Sequence, residues 1–254
     1  MSRLRAKCPD CRTYTAVAIG PDYQCHSCGR EWSAGLVRVP RAWGKDGDEM
    51  VAAARLDVDF PETAVVEEDS LEAQTLTLAA ELPDRPLVLG GCCCSHVGAV
   101  EGLAARHEKL ALVWFDAHGD LNTPGTSPSG NAWGMPLRMI VDGGAVEPQR
   151  VALIGARNLD PPEEEFLRTS GVRRTADDAL ADVDCVYVAF DLDVLDPADA
   201  RPFMPEPDGM RLDDAERELR RIGSAARVVG AGFSGGSSDA GLVPVVERLA
   251  AAVL

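Results

Sequence analysis

Short apolar runs recur along this chain. Each is closed by glycine or acidic residues and followed by a stretch whose apolar positions repeat at helical spacing. PLVLGG (86–91), LALVWFDAH (110–118), RVALIGAR (150–157), DCVYVAFDLDV (184–194) and ARVVGAGFSGG (226–236) predict strands. HVGAVEGLAARH (96–107), PPEEEFLRTS (161–170), LDDAERELRRIGS (212–224) and LVPVVERLAAAVL (242–254) predict helices. The second of these opens with proline and acids, as a first helical turn does. Strands that are apolar almost throughout have no solvated face, so their alternation with helices predicts an α/β fold with a parallel sheet covered on both sides. Polar residues gather where the strands end, in GGCCC, DAHGD, GARNLD and DLDVLD. In such sheets ligands bind at that edge. Residues 36–60 read as a link into this larger unit.

The first 35 residues follow another pattern. Cys8 and Cys11 form one CxxC, and Cys25 and Cys28 form a second. Between them, TYTAVAI and GPDYQC predict two short strands and a turn. Two such pairs supply four soft thiolates, a set suited to tetrahedral zinc, and the segment resembles a zinc ribbon. So small a unit has little core, and zinc would supply most of its folding energy. A redox role would need one CxxC, not two at this spacing. The chain is expected to divide into a ribbon, 1–35, and an α/β unit, 36–254.

A net charge of −16 argues against nucleic acid or an anionic membrane as partner of the larger unit. The first 35 residues hold five Lys/Arg against three Asp/Glu, a slight excess that favours a structural or contact role for the ribbon. No run of about 18 apolar residues predicts a membrane span. MSRLRAKCPDC has no apolar signal core, and eight cysteines without a secretory signal point to thiols and metal rather than disulfides. The expected location is the cytoplasm.

Two strand ends carry the chemistry. WFDAHGD sets Asp116, His118 and Asp120 at alternate positions, and AFDLDVLDP sets Asp191 and Asp193 likewise. In extended chain, residues two apart share a face, so four acids and an imidazole converge from two strands. Clustered carboxylates repel unless cations neutralise them. A pair of divalent metals does so, and makes hydroxide available near neutral pH.

DAHGD and FDLDVLDP resemble the two metal motifs of the arginase/agmatinase (ureohydrolase) family, over roughly residues 36–254. DAHGDLNTPGTSPSGN is most similar to the arginase branch. The resemblance implies a three-layer αβα sandwich around a mainly parallel sheet, a manganese or zinc pair, and a homo-oligomer. It implies that Asp116 and Asp191 bridge the metals, that His118 and Asp193 complete one site, and that Asp120 belongs to the other. Asn122, Ser129 and Asn131 would hold the carboxylate end of an amino-acid substrate. Asp160 and Glu163, in IGARNLDPPEEE, would meet its amino group. Metal-bound hydroxide, oriented by Asp120, would attack the guanidino carbon of a linear amidine and release urea or a related product.

Three positions depart from that pattern. The family's first motif reads GGDHS, where this chain has GGCCCS, so Cys93 stands at the position of a histidine ligand. Thiolate suits zinc and other softer ions better than manganese. Three arrangements follow: Cys93 binds, or that site is weak or empty, or His96 swings in. Cys92 and Cys94 read as packed small residues. Trp133, in SGNAWGMP, replaces a histidine that moves protons for the leaving amine. Indole does not titrate, so chemistry slows, or Trp133 becomes a cation–π wall. PDGMRLDDAERE lies where the family places an acid against the guanidinium. Asp214 is the match there, one methylene shorter than the usual glutamate, with Asp213 and Glu216 beside it.

Two other classes compete with a two-metal amidine hydrolase. A single-metal amide hydrolase, deacetylase-like, would use Asp116, His118 and Asp193, or Asp191 in a swapped arrangement. A non-catalytic binder would hold an amino acid or metal while the ribbon reports to a partner. Metal count separates the first from the leading reading, and turnover of guanidino compounds separates the second.

Overall fold

The computed structural model describes residues 5–254. A small antiparallel sheet comes first: β1 (Arg5–Ala6), β2 (Ala16–Ile19), β3 (Asp22–Cys25) and β4 (Glu31–Trp32), in that order. Tyr23 and Trp32, with Ala6 and Ala16, form its miniature core beside Cys8 and Cys25. The larger sheet is built from β5 (Gly35–Val39), β6 (Glu62–Val65), β7 (Pro86–Gly90), β8 (Leu110–Phe115), β9 (Val151–Ile154), β10 (Cys185–Asp191) and β11 (Arg227–Ser234). Its order is β6-β5-β7-β11-β10-β8-β9, and every pairing is parallel.

The helices are α1 (Asp48–Ala53), α2 (Leu71–Glu81), α3 (Ser95–Ala104), α4 (Pro136–Asp142), α5 (Pro161–Ser170), α6 (Ala176–Ala179), α7 (Leu212–Ala225) and α8 (Leu242–Val253). The alternation of side chains along a strand assigns each face of the sheet its own core. In β8, Leu110, Leu112 and Trp114 pack toward α2, α3 and α4, with Leu78, Val100, Leu103, Leu137 and Ile140. Ala111, Val113 and Phe115 pack on the other face, with Leu219 and Ile222 of α7 and Val246 and Leu249 of α8. Each fully buried Leu, Ile or Phe contributes about 1.5–3 kcal/mol, so these two apolar layers dominate the stability of the sandwich.

All five strands and four helices predicted from apolar patterning are present within a few residues. The link at 36–60 is corrected. GLVRV, at 35–39, is an interior strand of the larger sheet, buried throughout, and α1 follows it. Arg38 in the middle of this strand concealed it. Its guanidinium pairs with Glu62 at 2.7 Å and donates to the carbonyls of Ala54 and Leu56, so the buried charge has a carboxylate and two carbonyls as partners. β6 and α2 were also not foreseen. The exposed edge of β6 is covered: Lys7 and Glu62 exchange backbone hydrogen bonds of 2.8 and 3.0 Å, which ties the small sheet to the large one. No helix among the described residues is long and apolar enough to cross a membrane.

Two glycines give opposite expectations. In α3, a Cβ on Gly102 would stand 2.8 Å from the Cα and carbonyl oxygen of Ala79 in α2. In α7, a Cβ on Gly223 would meet nothing nearer than 3.9 Å. Helix propensity favours alanine over glycine by about 1 kcal/mol, while overpacking against backbone costs about 1–3 kcal/mol. Gly102→Ala is therefore expected to lower, and Gly223→Ala to raise, the free energy of unfolding measured in urea.

Candidate metal centres

Four parallel strands bring their carboxyl ends to one rim of the large sheet, and a cavity of about 250 Å³ opens there. After β7 the chain turns sharply at Gly91, where a Cβ would strike the carbonyl of Arg41, and this close approach seats Cys93 over the sheet edge. After β8 come Asp116, His118 and Asp120. At the end of β10 the Asp191 carboxylate caps the turn that follows, with Oδ1 accepting from the Asp193 backbone N–H at 2.9 Å. The two Asp–x–Asp/His runs are thus not extended strand, as alternation assumed; side-chain-capped turns produce the convergence. Beyond β11, Gly235 takes φ +68°, and any side chain there would overlap the Asp191 carboxylate.

Two triads form at this rim. Cys93, Asp116 and Asp191 have ligand atoms within 4.8 Å of one another, as do Asp116, His118 and Asp193. Asp116 belongs to both. Its Oδ2 accepts from the Trp114 indole at 3.0 Å and its Oδ1 from the His118 backbone at 2.7 Å, so the carboxylate is held from behind. Asp193 Oδ1 accepts from Ala117 N, which leaves Oδ2 facing His118 Nδ1 at 2.9 Å. Asp120 belongs to neither triad. It holds a left-handed φ of 54°, and its Oδ2 is buried with no hydrogen-bond partner.

The electrostatics of this cluster call for cations. Burial, then the charges of Asp116 and Asp191, push the Asp120 carboxyl well above its ordinary range. Burial and Asp193 push Asp191 up to about 7, and burial and Asp116 push Asp193 up to about 6. Burial opposes the protonated form of His118, but Asp116 and Asp193 outweigh it and raise its pKa. Divalent charge at the triads reverses each of these preferences. A partnerless buried oxygen, a glycine cradle and an O/N/S donor set therefore all fit a metal pair.

The remaining candidates divide. Asn122, Ser129, Trp133, Asp160 and Glu163 line the cavity with the triads. Asn122 bridges Asp160 (2.8 Å) and Thr126 (2.9 Å). Glu163 lies deeper: its carboxylate accepts from the backbones of Leu121 and Asp160, both at 2.9 Å, so it holds the 119–121 loop rather than facing a ligand. Asn131 is not in the lining, and its Oδ1 accepts from the backbone of Lys45. Asp214 is a correction. It sits in a separate surface groove with Asp199 and Arg248, paired to Arg217, because the first turn of α7 faces solvent. Asp213 and Glu216 are likewise committed to Arg248. His96 does not swing in. It is fully buried behind the site, with Nδ1 3.0 Å from the Tyr187 hydroxyl and Nε2 3.1 Å from Ser234 Oγ.

Sequence reasoning missed Ser234, Glu206, Arg157 and Phe203. Ser234 ends β11, and the polar GFSGG strand end was a signal for it. Glu206 approaches His118 Nε2 at 3.3 Å without hydrogen-bond geometry and accepts from Asn158 at 3.0 Å. Arg157 donates to the carbonyls of Asp193, Glu206 and Pro207, which pins this loop over the rim. Phe203 meets the Trp133 ring edge-on with centroids 6.3 Å apart, and together they give the cavity an aromatic wall. Nothing local in the sequence marks loop residues that act through such distant partners.

In the small sheet, Cys8 and Cys28 have sulfurs 3.9 Å apart, and Cys11 and Cys25 3.8 Å apart. All four lie within 4.8 Å of one another. A tetrahedron with metal–sulfur bonds of about 2.3 Å has edges of about 3.8 Å, so the cluster fits one zinc and no disulfide.

The sequence profile of the arginase family matches residues 30–234. Arginase of Bacillus caldovelox is 35% identical over 166 residues, covering 54% of this chain and 56% of that protein. The aligned stretch thus spans about half the length of the curated relatives it matches. Among solved structures, arginase of Bacillus subtilis superposes with a TM-score of 0.77 at 25% identity, over 87% of this chain and 97% of that one. Entamoeba histolytica arginase, solved in complex with L-ornithine, superposes with 0.72 at 19% identity, over 86% and 97%, a likeness of fold alone.

Asp120→Asn separates stability from metal binding. In chelator-treated protein, replacing an unpartnered buried carboxylate with a neutral amide is expected to raise unfolding stability by about 1–3 kcal/mol. Titrated with manganese, the same variant is expected to gain less thermal stabilisation than the parent. Equal curves for the two proteins in both conditions would remove Asp120 from the centre.

Proposed function

This chain belongs to the arginase family, and from that premise we propose that it hydrolyses a linear amidine, a guanidino compound of arginine-like form, releasing urea or a related product. The observation that carries the reading is the pair of triads sharing Asp116 at the floor of a cavity that also presents Asn122, Ser129 and Asp160. Asp116, Asp191, Asp193, His118 and Cys93 would hold the metals. A divalent pair, when bound, acidifies water and polarises the carbon under attack.

The chain's own groups do the rest. Asp120, with an acceptor oxygen free of partners, orients the attacking water and takes its proton. Asn122, Ser129 and Asp160 meet the polar end of the substrate, and the amide of Asn122 is preset by Asp160 and Thr126. Trp133, backed by Phe203, offers a ring face to the cationic group. Glu163 fixes the loop carrying Asp120 through the Leu121 N–H. Trp133 supplies no titratable proton, so expulsion of the amine is slower than with an imidazole there. In the small sheet, the four thiolates would hold a structural zinc.

Urea release from L-arginine and from agmatine by metal-reconstituted protein tests this reading. Turnover is expected with arginine, with kcat/KM at least about 100-fold lower in Asp191→Asn. Trp133→His is expected to raise kcat by about tenfold or more, the scale of a restored general acid. Metal retention without urea from any guanidino compound would overturn the hydrolase reading in favour of a binder.

A further inference from the structure

We propose that the rim is built for two unlike cations: a soft or borderline ion, zinc foremost, at Cys93, Asp116 and Asp191, and a harder ion at His118, Asp193 and the shared Asp116. The inference rests on the metal-dependent reading above and adds the identity and inequality of the two halves.

The donor atoms carry the argument. Cys93 Sγ lies 2.7 Å from Asp191 Oδ2 and 3.8 Å from Asp116 Oδ2, so sulfur and two carboxylates share one space. Sulfur selects zinc and its softer neighbours and discriminates against manganese and magnesium. The other half offers oxygen and one imidazole and no sulfur, a set that accepts manganese. Zinc held through Cys93 releases the thiol proton to solvent, and no oxidant or reductant enters the step.

A buried hydrogen-bonded chain stands behind the sulfur. The fully buried His96 ring stands between two hydroxyls in this chain. His96 Nδ1 lies 3.0 Å from the Tyr187 hydroxyl and Nε2 lies 3.1 Å from Ser234 Oγ, and Ser234 Oγ in turn lies 3.2 Å from both Cys93 Sγ and Asp191 Oδ2. The Ser234 hydroxyl is within reach to donate to a ligating thiolate, and such outer partners alter metal affinity by about 10–100-fold. Ser234 is thus a positioning residue for Cys93. Cys92 and Cys94 are packed instead with Met50 in an apolar patch.

The test is metal content per chain after the full-length apoprotein is equilibrated with manganese in large excess over buffered zinc, which offsets the intrinsically tighter binding of zinc to any such site. Cobalt(II) spectra then report the thiolate-to-metal charge-transfer band. The parent is expected to hold about two zinc ions, one of them in the ribbon cluster, and about one manganese. Cys93→Ser should lose about one zinc and part of the charge-transfer intensity, and Cys93→His should exchange that zinc for manganese. Cys92→Ala should leave both readouts unchanged, and Ser234→Ala should weaken the Cys93-dependent zinc about tenfold or more. Circular dichroism confirms that each variant is folded. Two manganese ions in the parent, with zinc content and cobalt spectrum indifferent to Cys93, would overturn this inference and leave the two-metal hydrolase intact. No metal beyond the ribbon zinc would overturn both.

Discussion

Mutual repulsion among buried carboxylates is the constraint around which this molecule is arranged. Asp116, Asp120, Asp191 and Asp193 are all buried at one rim of the sheet, where each raises the cost of ionising its neighbours. A protein selected only for stability would not keep such a cluster, because a carboxylate without water or a counter-charge costs several kcal/mol. The parallel sheet makes the cluster possible. It points every strand the same way, so residues after β7, β8, β10 and β11 meet at one edge while two apolar layers below supply the stability the rim lacks.

The rim is organised in layers of hydrogen bonds. Trp114 and the backbone of His118 fix Asp116, the backbone of Asp193 fixes Asp191, and Glu163 fixes the loop that carries Asp120. These contacts hold the carboxylates in place and bring their ligand atoms within 4.8 Å of one another in each triad, while Asp120 Oδ2 is left without a partner. Preorganisation of this kind means little reorganisation is needed when charge develops in the cavity. The helices contribute through closeness: Gly98 and Gly102 let α3 lie against α2, and α3 in turn seats His96 beneath the site.

Cys93 and Trp133, two of the three departures from the family pattern, bear on different steps of the proposed reaction. As a ligand, Cys93 would change the hardness of one half of the centre, and it is backed by a buried chain through Ser234 and His96 to Tyr187. Trp133 would change the supply of protons at the cavity mouth, where it forms a π-rich wall with Phe203. Metal choice and proton delivery can therefore shift independently, since the residues concerned share no hydrogen bond.

The amino-acid sequence by itself determined the alternating strands and helices, the parallel sheet, the four-cysteine cluster and the carboxylate motifs. Those signals are local: apolar runs, CxxC pairs and acids two residues apart are set by neighbours along the chain. It did not disclose GLVRV as an interior strand, because the partners that make a buried Arg38 tolerable lie at Ala54, Leu56 and Glu62. Nor did it place Asp214, whose exposure depends on which side of α7 meets the sheet, or reveal Ser234 and Glu206 beside the triads. Tertiary structure alone decided that Glu163 serves the backbone, that His96 stays behind the site and that Cys93 faces Asp191. Each of these outcomes depends on atoms brought together from distant segments by packing, a relation that residue spacing along one chain does not encode.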